Sequence, residues 1–352
     1  MKNNLSSLAF ILFTLCCWSQ DLSTFEVTKD YIALTETVDS SASFKVYKGE
    51  LSEKNVHTAT PILGSIISKK ESSRFTPLIP FTFNQKYTVV YNGVVDYFEI
   101  NPPKDYERLS IEAIYPSSRK LPSNVLKWYI RFSKSIDQTN PYDHIHFLTA
   151  SGDTIRKAIL NLENALISED RKLLTVWIDP GRQKRGLIPN QQLGAVFEEG
   201  KEYSLVITQE FKDKEGIPLK QNQIHQFIIT TSDRKQPNVN SWKIRSPEVG
   251  TISELKIDFK EQMDYGSMLN RITLLNPDKK KVTGDLKLIK NESTLVLKPH
   301  KPWIKGEYEI VIDSRIEDLA GNNLNRLFDT KIVDETSKDI DKAFYSLFFS
   351  IK

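Results

Sequence analysis

Over most of this chain apolar and polar residues alternate one by one. From Gly306 to Asp313, Tyr308, Ile310 and Ile312 fall on one side, and Glu307, Glu309, Val311 and Asp313 on the other. Period two with one apolar face predicts a half-buried strand. The same alternation places Trp128, Ile130 and Phe132 inward on one strand and Leu174, Val176 and Ile178 inward on another. It recurs at 203–207, 226–230, 255–259 and 295–299, and again at the end, where Tyr345, Leu347, Phe349 and Ile351 predict a closing strand. Ser43–Tyr47 predicts a short strand, and Lys86–Ile100 a hairpin about Asn92-Gly93, since both positions of a two-residue turn need positive φ. Helical periodicity is nearly absent; 160–166 is the one candidate for a helical turn, and it lacks caps.

These strands recur in order. Phe132 and Ile136-Asp137 reappear as Phe259 and Met263-Asp264 at an offset of 127 residues, and Pro180 as Pro299 at 119. Tyr203, Asp213, Gly216 and Leu219 reappear as Tyr308, Asp318, Gly321 and Leu324 at 105. The Asp-x-x-Gly pair is turn chemistry: the carboxylate accepts backbone N–H groups just ahead of it, and glycine supplies positive φ. Polar, proline-bearing linkers at 101–104 and 232–237 divide the chain into expected domains at 21–101, 105–233 and 236–352. Short strands with Gly, Pro and Asn turns predict β-sandwiches.

The order of these landmarks resembles bacterial Ig-like domains of the S-layer-protein type. The later copy carries the resemblance in Phe259, Met263-Asp264, Pro299, Gly306, Tyr308, Asp318, Gly321-Asn322, Leu324 and Phe328. The earlier copy carries it in Phe132, Ile136-Asp137, Pro180, Tyr203, Asp213, Gly216, Leu219 and Phe227, and departs from it with Ile217 in place of Asn322. The resemblance implies an all-β chain of tandem Ig-like β-sandwich modules. Such sandwiches serve as spacers, adhesins and accessory modules alike. The first domain shares only its Tyr87 hairpin with this order.

Composition and address narrow the setting. In 352 residues the net charge is +3 with the signs interspersed, which argues against a nucleic-acid binder. Residues 1–19 read as a signal peptide: Lys2, an apolar run from Leu8 to Trp18, and small residues at Cys17 and Ser19 ahead of cleavage before Gln20. The alternative is lipidation at Cys16 or Cys17, where Leu15 replaces the small residue such a signal favours. No later stretch is apolar for eighteen residues, so no transmembrane segment is expected. Both cysteines lie in the signal peptide, leaving the exported chain without a disulfide or thiolate site.

Candidate chemistry is sparse. Asp313, Glu317, Asp318 and Asn322 could gather oxygens around Ca²⁺, but the earlier copy keeps the turn residues without the other acids, which favours a structural turn. His144 and His146 give two nitrogens, too few for a closed zinc site. No metal site and no cofactor is therefore expected. No nucleophile elbow, zinc-protease helix or phosphate loop occurs. The most unusual stretch is 181–194, which the later copy lacks. It carries Arg182, Lys184 and Arg185. It is expected either to grip a carboxylate or phosphate, or to clamp the neighbouring domain through Leu187, Ile188 and Leu193. Trp177 points outward by alternation and joins the three cations as a candidate ligand-binding residue; Trp242 and Trp303 are further candidates for stacking on a glycan, although Trp303, just ahead of the Gly306 turn, reads rather as a core plug. The reading is an exported, non-catalytic envelope or surface protein for binding or spacing, whose partner is an envelope protein or a glycan, anionic if the cations engage it. The alternative is a glycan-binding accessory protein or a glycan-active enzyme with its site at a module junction.

Overall fold

The computed structural model describes residues 25–34, 44–69, 72–160, 162–329 and 342–352. The expected signal peptide, with both cysteines, lies outside the described residues. The chain forms two compact units, 1–104 and 105–352.

In the first unit, β1 (Phe25–Val27), β2 (Ile32–Leu34), β5 (Ser72–Pro77) and β4 (Gly64–Lys69) form one sheet in that order. β3 (Lys45–Lys48), β6 (Lys86–Tyr91) and β7 (Val94–Glu99) form the other. Phe44, Phe75, Phe81, Tyr87 and Phe98 fill the space between them. The Asn92-Gly93 hairpin forms as its residues predict, with Tyr91 opposite Val94 and positive φ at both turn positions. The one helix among the described residues of this unit is a single turn, α1 (Glu53–Val56).

The second unit holds two sandwiches. The middle one packs β12 (Leu166–Ile167), β13 (Leu173–Trp177), β10 (Lys127–Phe132) and β8 (Ile111–Tyr115) against β11 (Ile145–Thr149), β14 (Glu202–Ile207), β15 (Gln223–Thr230) and β9 (Lys120–Pro122). The C-terminal one packs β16 (Lys243–Arg245), β17 (Leu255–Asp258), β20 (Thr294–Pro299) and β19 (Gly284–Ile289) against β18 (Ile272–Leu275), β21 (Gly306–Asp313) and β22 (Phe344–Ile351). Among the described residues all strand pairs are antiparallel except β9 with β15. The closing strand forms as its alternation predicts, paired with β21 from Gly306↔Ile351 to Asp313↔Phe344. Residues 160–166 contain no helix among those described; Leu166 begins β12 instead.

The repeated landmarks take repeated roles. Phe132 and Phe259 are both fully buried, each in its own core. Ile136 bridges Asp213 as Met263 bridges Asp318. Asp213 Oδ1 accepts from the amides of Glu215 and Ile217 at 2.9 Å each; Asp318 Oδ1 accepts from Ala320 at 2.8 Å and Asn322 at 2.9 Å. Gly216 and Gly321 follow at φ of 82° and 78°. Each sandwich also ties a tyrosine hydroxyl to a backbone amide a few residues upstream: Tyr203 to Glu198, Tyr308 to Ile304 and, in the first unit, Tyr87 to Thr82. This tyrosine corner is a hallmark of the immunoglobulin-type sandwich. The first unit, which the sequence linked only through the Tyr87 hairpin, shares this feature.

Candidate functional site at the junction of two sandwiches

The face of β10 that alternation assigns to solvent is covered by the C-terminal sandwich. Tyr129 is only 6% exposed, and its hydroxyl donates to both oxygens of Asp264, at 2.9 and 3.0 Å. Asp264 caps α4 (Tyr265–Asn270) by accepting from the Ser267 amide at 2.8 Å. Lys127, two residues along the same strand face, pairs with Glu317 and lies 4.0 Å from Asp264. Burial pushes the Asp264 carboxyl above its ordinary pKa, and the Lys127 ammonium opposes that. Burial also raises the Tyr129 phenol, with Asp264 adding to it. Charges this enclosed persist only with good partners, because an unpaired one would bear its full desolvation cost.

Further contacts extend this seam. Tyr115 stacks on Tyr265 with centroids 3.7 Å apart. Ser117 donates through Oγ at 2.6 Å and through its amide at 2.9 Å to the buried Glu292 carboxylate. The Asp318 turn carries Leu319 out of its own sandwich into the middle core. There the Leu126 amide donates to the Leu319 carbonyl at 2.9 Å. Gly321 has a positive φ that favours glycine, and a Cβ there would lie 2.7 Å from Leu126 Cδ2, so the leucine side chain would have to shift. The linker is pinned as well, since Asn124 donates to the Asp233 carbonyl at 2.6 Å and accepts from its amide at 2.8 Å.

The cationic insertion belongs to this junction. It folds into two short helices, α2 (Pro180–Gln183) and α3 (Ile188–Leu193), which the sequence read as loop. Arg182 is 5% exposed, and its guanidinium donates to the carbonyls of Arg156, Leu193, Gly194 and Ala195. These bonds hold the insertion's own backbone and occupy the donors that an anion would need. Lys184 Nζ lies 4.5 Å from the centre of the Phe328 ring. Arg185 reaches Asp329 at 2.7 Å, where Arg234 of the linker arrives from another side at 2.7 Å. Leu187, Ile188 and Leu193, the residues of the alternative clamp, are exposed; Lys184 and Arg185 make the contacts to Phe328 and Asp329 instead. Trp177 is partly buried at the seam, with Lys127 Nζ 4.7 Å from its ring centre. Trp242 and Trp303 are buried in the C-terminal core.

The oxygens considered for Ca²⁺ do not converge. Asp313 is engaged by Arg315 and Arg271, and the Arg315 bonds hold its pKa down at about 2. Glu317 pairs with Lys127. Asp318 instead meets Asp233 and Glu261, each offering one oxygen within 4.8 Å of the others. Burial, with Asp233 nearby, raises Glu261 to about 7, and burial raises Asp318 to about 8. Among the described residues this is the acidic group that could hold a cation, and its three oxygens would supply about half the six to eight that Ca²⁺ takes. The middle sandwich arranges the same place differently. Tyr106 donates to Asp213 at 2.6 Å, and Lys134, the counterpart of Glu261 at offset 127, lies 3.9 Å from the Tyr106 ring centre. That change of sign is the sequence signal by which the acidic group could have been found. His144 ends a 3₁₀ turn with its ring edge-on to Phe211, and His146 pairs across to Val206 on β14.

Comparison with known proteins gives one family match, within the C-terminal sandwich. Residues 233–332 match the family of bacterial Ig-like domains, which is broader than the S-layer type that the sequence resembles. No curated protein matches the chain. Among solved structures it is similar to the I9–I11 tandem of titin, at 10% identity and a TM-score of 0.20, over 82% of this chain and 89% of that one. It is similar to native alpha-2-macroglobulin from Escherichia coli spanning domains MG0-NIE-MG1, at 13% identity and a TM-score of 0.22, over 70% and 72%. It is also similar to the N-terminal part of the bacterial S-layer protein SbsC, at 12% identity and a TM-score of 0.25, over 58% and 40%. The chain is all-β and built of Ig-like modules. No helix among the described residues is long and apolar enough to cross a membrane.

Proposed function

We propose that this is an exported, non-catalytic spacing and binding element of a bacterial envelope or surface, whose last two Ig-like modules act as one stiff piece. The observation that carries this reading is the enclosed Tyr129–Asp264–Lys127–Glu317 group between the two sandwiches. A flexible linker between modules needs no such group. Here the linker is pinned by Asn124, and a second brace at Asp329 stands apart from the first. Stiffness suits a spacer, because the distance it sets does not fluctuate. Arg182 serves the insertion's own fold, while Lys184 and Arg185 serve the brace, so a structural role accounts for the cations without an anionic glycan. The bacterial Ig-like match supports the surface setting. The partner in this reading is an envelope protein rather than a glycan, since the tryptophans that could stack on sugar rings are taken up by the cores and the seam.

Residual dipolar couplings of the full chain test the stiffness. A single alignment tensor should fit amides of β10, β13 and β14 together with those of β17, β20 and β21. Two tensors of different magnitude or orientation would contradict the proposal.

A further inference from the structure

Strand β15 has two different outer borders. From Ile228 to Thr230 it pairs with β9, whose Leu121 is fully buried. From Gln223 to Phe227 no strand among the described residues pairs with that side. Facing this free half is the outer edge of β8, which among the described residues pairs only with β10. Between the two edges lies a cleft of about 330 Å³, lined by Ile111, Ile114, Tyr115, Gln223, Ile224 and His225 among others. Ile224 is 62% exposed along it.

Two buried nitrogens in this region lack partners. His225 lines the cleft, and its Nε2 is enclosed without a hydrogen bond. Trp128 meets that imidazole edge-on, with centroids 5.8 Å apart, and its Nε1 is also enclosed and unpaired. Burial, with Arg119 nearby, holds the imidazole pKa below its ordinary value and so favours the neutral ring. Enclosed polar atoms are normally satisfied, and an exception calls for an explanation.

We propose that this cleft receives an extended segment of a partner protein, which continues along β15 the line that β9 begins. The continuity with β9 argues for a polypeptide strand: the free edge presents N–H and C=O groups at strand spacing, which another extended backbone matches group for group. The isoleucines on either side suit apolar side chains at alternate positions, as Leu121 suits the gap under β9. A backbone offers both donors and acceptors, so it can satisfy the His225 imidazole, which lines the cleft, in either tautomer; the enclosed Trp128 indole would sense it only through that ring. The cleft borders the seam through Tyr115 and Ser117, while the free β15 edge at Gln223–Phe227 makes none of those seam contacts.

The test is an amide and indole NMR titration of the full chain with a capped, alternating threonine–valine heptapeptide. The expected result is shifts centred on Gln223–Phe227 together with movement of the Trp128 indole signal. Ile224→Lys, which places a charge on the free edge without touching the core, should weaken binding at least tenfold at an unchanged melting temperature. His225→Phe should weaken it less and leave the shifts along the β15 backbone in place. Absence of shifts at millimolar peptide, or equal binding by Ile224→Lys, would overturn the proposal.

Discussion

The turns at Asp213 and Asp318 are built alike and placed in opposite circumstances. Each aspartate caps its turn with two amide bonds, and each is followed by a glycine at positive φ. Around Asp213 stand a phenol that donates to it and, over that phenol, a lysine. Around Asp318 stand two more carboxylates, and the turn pushes Leu319 into the neighbouring sandwich. One turn closes a module; the other closes a module and joins it to the next. A repeat can thus keep a loop's backbone and change its use through the few side chains that face it.

The largest effect is expected at the seam that this second turn adjoins. Lys127→Met removes the cation between the buried Asp264 and the half-buried Glu317 and leaves the two carboxylates without it. It should cost ~3–5 kcal/mol in urea unfolding, the usual penalty for breaking an enclosed ion pair by one partner. A cost below ~1 kcal/mol would mean that the seam opens freely in solution.

Next is Gly321→Ala, which combines strain at positive φ with the Leu126 contact and should cost roughly 1–3 kcal/mol. The contact is the part specific to the junction. In a double-mutant cycle, Leu126→Ala should therefore recover a portion of the loss. Strict additivity would assign the whole cost to the backbone.

The acidic trio sharpens the comparison through pH. Folding raises Glu261 to about 7 and Asp318 to about 8, so the folded chain binds more protons than the unfolded one above the ordinary carboxylate range. Their contribution to stability is complete below about pH 4, the unfolded range, and is lost as pH rises through 7 and 8. Urea midpoints measured from pH 5 to 9 should fall, and Glu261→Gln should flatten the decline. A midpoint that rises over that range in the wild type, or an unchanged slope in the variant, would contradict the assignment.

The smallest effect is expected from Arg185→Ser. This ion pair to Asp329 is exposed on the arginine side and backed by Arg234, so its loss should cost within ~1 kcal/mol and shrink further in salt.

What could be seen in advance divides along physical lines. Alternation located the strands, and the offsets of Phe132 with Phe259 and Tyr203 with Tyr308 located the shared fold, because both signals are local and repeated. The seam was not legible. Tyr129 and Lys127 read as outward residues, and nothing near them in sequence tells that Asp264, 135 residues from Tyr129, will cover that face. Arg182 has the composition of a surface residue and is enclosed because its own loop folds back over it. Whether a cation faces water or a carbonyl depends on the long-range path of the chain.

The central claim is that the two sandwiches of residues 105–352 are welded, although Phe132 and Phe259 sit in separate cores. It is tested most directly by native-state hydrogen exchange of the full chain carrying Phe132→Ala, a core deletion worth ~3–5 kcal/mol. The account predicts that protection falls in β17, β20 and β21 along with β10 and β13, because opening the middle sandwich removes the seats of Leu319 and Asp264. Full protection of the C-terminal strands, with loss confined to the middle sandwich, would contradict it.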